Sequence, residues 1–125
     1  MKLTAVLTLS VGLLVPLSVL CANEYYVASA GSDAHAGTKD RPFATVQRAQ
    51  QAAAPGDTVF IRGGAYRMTE AHIARRHRIW AYVTFLDKSG LPGRPIRYWA
   101  YPGERPVFDY SAVKPSGLRI DAFYV

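Results

Sequence analysis

From residue 23 onward the apolar residues come in runs of about four to seven, set between uneven loops rich in glycine, proline and aspartate. That punctuation limits the fold more than any other feature of the chain. The clearest run is Asp57–Arg62, where Val59 and Ile61 point one way and Thr58, Phe60 and Arg62 the other. Gly63-Gly64 follows, and glycine turns a chain sharply because positive φ costs it nothing. Further strands are read at Glu24–Ala28, Ile79–Phe85, Pro95–Ala100, Pro106–Asp109 and Leu118–Asp121. The stretch from Ala65 to Arg78 carries only a weak pattern.

One segment has helical spacing. Phe43, Val46, Ala49 and Ala53 recur at steps of three and four, so they share a face of a helix over 42–54. Gln47, Arg48, Gln50 and Gln51 lie largely on the other face. Asp40 or Thr38 is the expected N-cap, and Pro55-Gly56 the stop. A narrow face made mostly of alanine buries little alone. It suits a helix laid flat against the end of something larger.

Short strands, irregular loops and one helix fit a β-sandwich or a parallel β-solenoid. Sandwich hairpins favour two-residue Asn-Gly or Asp-Gly loops, and the sequence has neither. The 24-residue step from Ile96 to Ile120 falls within the ~20–50 residues of a stacked repeat. The chain then stops on Ala122-Phe123-Tyr124-Val125, with no turn or polar tail. About two coils are present where a solenoid needs three or more and a terminal cap. The expectation is therefore a truncated solenoid.

The N-terminus is read as an export signal over residues 1–22. Met1-Lys2 supplies the positive start, and Leu3–Leu20 runs without a charge. A membrane-spanning helix of ~20 apolar residues is the rival, and Pro16 inside the run argues against it. Cleavage after Ala22 leaves 103 residues, secreted or periplasmic, with no further membrane attachment. Cys21 is the only cysteine, so that product has no disulfide, thiolate metal site or cysteine nucleophile. Its stability rests on its core, which is marginal at this size. The net charge is +6, or +5 without Lys2, and is compatible with acidic partners such as uronic-acid polysaccharide.

The order of motifs resembles secreted right-handed parallel β-helix proteins, most closely the family 9 polysaccharide lyases (pectate-lyase-like). The resemblance rests on Tyr25-Tyr26-Val27, Gly31-Ser32-Asp33, Gly37-Thr38 and Arg41–Gln47. It continues through Ala54-Pro55-Gly56-Asp57-Thr58-Val59, Arg62–Arg67, Lys88-Ser89-Gly90, Gly93–Ile96 and Ala100–Asp109. It implies a mainly β fold: residues 23–125 as the first coils of the β-helix, with the 42–54 helix plugging the N-terminal end. It also implies that Val59, Ile61, Ile96, Val107 and Ile120 point into the core. The activity implied for the whole protein, a monomer, is β-elimination on a uronic-acid chain. Calcium on clustered aspartates and a basic residue, typically lysine, would serve it from later coils. No catalytic or metal-binding residue carries over to this chain, which is expected to be inactive alone. A non-catalytic carbohydrate-binding protein and a glycoside hydrolase on the same fold are the alternatives.

Residue by residue, little else points to chemistry. Asp109 and Asp121 are two isolated carboxylates, whereas calcium takes six to eight oxygens, usually from several clustered acids. Asp33 and Asp57 are expected to cap their loops. His35, His72 and His77 lack zinc-ligand spacing and are read as exposed loop residues. Arg75-Arg76-His77-Arg78 is either a grip for an acidic sugar chain or a solvated face. Trp80, Tyr82, Trp99 and Tyr101 could stack on sugars or pack beneath loops. No nucleophile elbow, phosphate loop or nucleic-acid module is present.

Overall fold

A computed structural model describes Gly12 and residues 21–125. The segment read as a signal peptide, residues 1–22, lies outside the described residues apart from Gly12, Cys21 and Ala22.

The elements are β1 (Glu24–Val27), α1 (Val46–Ala52), β2 (Thr58–Ile61), β3 (Gly64–Thr69), β4 (Arg75–His77), β5 (Trp80–Phe85), β6 (Arg97–Ala100), β7 (Pro106–Ala112) and β8 (Arg119–Tyr124). They form three sheets: sheet A is β1-β2-β6, sheet B is β3-β7 and sheet C is β4-β5-β8. Every pairing is parallel except that of β4 with β5. The chain visits sheets A, B and C in turn through β2, β3 and β5, then again through β6, β7 and β8. These are two stacked coils of a parallel β-helix.

Stacking in register sets the core. Tyr25, Val59 and Tyr98 align across sheet A, as do Val27, Ile61 and Ala100. Val27 and Val59 are fully buried, with Ile61 nearly so. In sheet B, Tyr66 and Phe108 are partners with their rings stacked at 4.8 Å. This fixes the phase of β7 and corrects one expectation. Phe108 points in with Tyr66, so Val107 pairs with Ala65 and stands 50% exposed. Ile120 lies over the buried Ala81 but is itself exposed, and Ile96 is half-buried against the core. The 24-residue step is also corrected. Ile96 leads into sheet A and Ile120 lies in sheet C, whereas the coil step runs from Thr58 to Arg97 and from Trp80 to Arg119.

The first corner is tight. Gly64 has φ 124°, and a Cβ on Gly63 would sit 3.1 Å from Glu104 and 3.2 Å from the Arg105 amide. A side chain at position 63 would require the second coil to give by a few tenths of an ångström there. The buried Tyr66 hydroxyl lies 2.6 Å from the Arg62 carbonyl and 3.1 Å from that of Val27. Burial, helped by the Glu104 charge, pushes the Tyr66 pKa up to about 12, so the hydroxyl remains a donor.

The helix is shorter than expected. Phe43 is extended rather than helical: its amide donates to Tyr26 and its carbonyl accepts from Ala28. Thr45, not Asp40 or Thr38, is the N-cap, accepting from the Arg48 amide at 3.1 Å. Helical spacing still buries Phe43, Val46, Ala49 and Ala53, and α1 packs against β1, β2 and β5. Gln50, assigned to the outer face, is buried because β5 needs it. Its Nε2 donates to the Phe85 carbonyl at 2.9 Å and its Oε1 accepts from the Lys88 amide at 3.1 Å. Gln47 Oε1 accepts from the Phe85 amide at 2.9 Å. Two glutamines thus satisfy backbone groups of Phe85 and Lys88, past the Trp80–Tyr82 stretch that β4 covers. Lys88 Nζ in turn donates to the last carbonyls of the helix, Gln50, Gln51 and Ala53.

Candidate functional site

The weakly patterned stretch before Ile79 supplies one strand of the only antiparallel strand pair among the described residues. β4 folds back on β5 through Arg78-Ile79, with His77 facing Trp80 and Arg75 facing Tyr82. Two-residue hairpin loops need positive φ, a conformation that suits asparagine and glycine. Arg78 adopts it at φ 54°, alone among the described non-glycine residues. The sequence has no Asn-Gly or Asp-Gly signal, so the hairpin was unexpected.

The hairpin divides the basic run. Arg75 and His77 are set on the face of β4 that carries Trp80 and Tyr82, while Arg76 pairs with the buried Ala81. β8 continues this face in register: Arg119 beside Trp80, Asp121 beside Tyr82, and Tyr124 beside Phe85. Phe85 and Tyr124 stack at 4.6 Å with 4° between planes, and Tyr82 meets each of them edge-on at 5.2 Å. The Arg75 guanidinium lies 4.9 Å over Phe85, and that of Arg119 lies 5.9 Å over Trp80. Arg75, His77, Tyr82, Phe85 and Tyr124 enclose a cavity of about 150 Å³. A cleft of about 540 Å³ shares Arg75, Phe85 and Tyr124 with it and extends past Asp87 to Gly90.

This arrangement combines flat apolar surface with guanidinium groups. Stacked arginines keep their N–H forks free for carboxylates, which bind them in bidentate fashion. Trp80 and Tyr82 thus join the basic cluster on sheet C. Trp99 and Tyr101 belong to sheet A and its corner, with Trp99 55% exposed. Phe85, Arg119 and Tyr124 were not anticipated at this site. The signal for them was the register that lays 119–124 over 80–85, which the 24-residue step concealed.

The carboxylates serve the fold. Asp33 accepts from the Ala44 and Thr45 amides at 2.9 and 3.0 Å and from the Thr45 hydroxyl at 2.9 Å. The buried Asp57 accepts from the Asn23 and Ala54 amides, each at 2.8 Å. Asp109, held below the usual carboxylate range by bonds from Ser111, is on sheet B, whereas Asp121 is on sheet C. Asp109 and Asp121, two carboxylates on separate sheets, do not compose a cage of six to eight oxygens. His35 is half-buried, its Nδ1 3.1 Å from the Pro42 carbonyl, and His72 Nδ1 accepts from the Thr69 amide at 2.9 Å. Neither is the exposed loop residue expected; of the three, only His77 is exposed.

Two parallel coils with register-stacked interiors and an aromatic, arginine-bearing outer face define a β-helix protein. The chain belongs to the Pel9A-like right-handed β-helix family, which it matches over residues 25–125. It is 33% identical over 101 residues to pectate lyase PEL9 of Emericella nidulans, covering 81% of this chain and 22% of that one. It is 36% identical over 88 residues to the protein YwoF of Bacillus subtilis, covering 70% of this chain and 16% of that one. A rhamnogalacturonan lyase structure superposes with a TM-score of 0.79 at 38% identity, over 83% of this chain and 26% of that one. A glycoside hydrolase structure at 20% identity and TM-score 0.51 shares the fold. The chain therefore spans about a fifth of the curated relatives it matches.

Proposed function

We propose that the chain forms the opening coils of an exported polysaccharide lyase that cleaves pectate-like uronic-acid polymers, and that the outer face of sheet C holds the polymer. The supporting observation is Arg75 stacked on Phe85 within an open cleft, in a chain similar to a pectate lyase and to a rhamnogalacturonan lyase. A sugar's C–H face would rest on the aromatic rings, and its carboxylate would meet the guanidinium fork.

In β-elimination a base takes the C5 proton, the C4–O bond breaks and a C4–C5 double bond forms. The leaving oxygen departs with a proton. No residue of this chain is assigned to proton removal. The part proposed for it is to bind and align the polymer, while the base and any calcium belong to later coils of the parent protein. Export through the 1–22 leader is part of the same proposal. Retardation of the chain in gels containing polygalacturonate, compared with neutral galactan, tests the binding step. Retardation by the acidic polymer alone is expected, and equal migration in both gels would contradict it.

A further inference from the structure

The outer face of sheet A carries a second set of aromatic rings, and the sheet C site does not use them. Register places Tyr26, Phe60 and Trp99 side by side on β1, β2 and β6. Tyr26 stacks on Phe60 at 5.6 Å, and Phe60 meets Trp99 edge-on at 6.5 Å. Tyr101, at the following corner, lies 5.8 Å from Phe60. Alternation explains the ladder, because these positions are the outward partners of the buried Val27, Val59 and Ile61. It ends on β6 at Trp99, which is 55% exposed, so the ladder offers ring faces to solvent.

Cations border the ladder. Arg97 lies 5.8 Å over Trp99, and Lys39 lies 5.4 Å over Tyr101. Arg62 is also over Tyr101, but Glu104 pairs with it, in the one salt bridge among the described residues. Lys39 and Arg97 therefore have no carboxylate partner among the described residues. Flat apolar rings beside unpaired cations suit a ligand that is both apolar-faced and acidic.

We infer that the Trp99–Arg97 end of this ladder, with Lys39, is a second contact surface for an acidic polysaccharide. It lies on a different sheet from the sheet C cleft and contacts the polymer independently of it. The inference rests on the proposed acidic-polysaccharide substrate and extends it to a surface with no part in cleavage. Two surfaces on one chain would raise retention on a polymer through effective concentration.

The test starts from the full chain with Arg75→Ala and Arg119→Ala, so that residual retardation in polygalacturonate gels reports sheet A. Trp99→Ala, Trp99→Phe and Arg97→Gln are then added singly, with circular dichroism as the folding control. Residual retardation should weaken roughly five- to tenfold with Trp99→Ala or Arg97→Gln and persist with Trp99→Phe. If the starting double variant migrates freely while the parent is retarded, sheet C alone binds and this inference is overturned. If the parent is not retarded at all, the binding role proposed for sheet C fails with it. Equal retardation in neutral galactan would overturn the acidic class of ligand.

Discussion

Glu104 grips Arg62 across 42 residues of chain, with its two oxygens 2.7 and 2.8 Å from the guanidinium and a third bond from the Gly63 amide at 2.7 Å. One residue stands at the corner of the first coil and the other at the corner of the second. The pair therefore fixes how the coils stack where Gly63 lets them approach.

The pair makes stability depend on pH. The Arg62 hydrogen bonds, then the Gly63 amide, hold the Glu104 pKa down from 4.5 to about 2. A carboxyl depressed in the folded state contributes stability above its unfolded value and loses it on acidification. The thermal midpoint should therefore fall between pH 4.5 and about 2. Glu104→Gln should lower the midpoint at pH 7 and flatten this part of the profile. Parallel profiles for parent and variant would refute the assignment.

Gln50→Ala removes partners from both the Phe85 carbonyl and the Lys88 amide. Leaving two backbone groups unsatisfied should cost roughly 2–4 kcal/mol in urea unfolding. Gln51→Ala, at the neighbouring exposed position, should change stability by less than about 0.5 kcal/mol.

Gly37 and Gly93 share a left-handed backbone and differ in their surroundings. A Cβ on Gly37 would fall 2.2 Å from the buried Phe43 ring, whereas one on Gly93 meets nothing within 4 Å. Gly93→Ala should cost only the conformational term, about 1–2 kcal/mol. Gly37→Ala should cost that and a displaced core ring, more than about 3 kcal/mol in total. Equal losses would mean that Phe43 is not held as described.

Arg75→Ala should weaken retention by polygalacturonate about tenfold without lowering the thermal midpoint, since the side chain is exposed. Arg78→Gly should keep binding and raise the midpoint, because it relieves the left-handed strain of the turn. A loss of binding with Arg78→Gly would place Arg78 in the site.

Much of the first coil was legible in the sequence because its alternation is unambiguous. Val59 and Ile61 are flanked by Thr58 and Arg62, and both are buried. The phase of β7 was not, since Pro106, Val107 and Phe108 are all apolar and only the stacking on Tyr66 selects Phe108. β4 has no apolar residue and exists because β5 offers it an edge, a tertiary effect without local signal. Phe43 had the spacing of a helix residue and was taken by β1 as a bridge partner. The basic run and Trp80-Ala81-Tyr82 were visible as candidates. Their union with Phe85, Arg119 and Tyr124 required the true coil step.

The most direct measurement begins with the DNA downstream of the codon for Val125. The longest frame containing the chain is expressed and assayed on polygalacturonate with and without calcium, following the unsaturated product in the ultraviolet. Calcium-dependent absorbance from that product, and none from the 125-residue chain, is the predicted result. A longer product that binds the polymer but never generates unsaturated ends would contradict the lyase assignment and leave a binding protein.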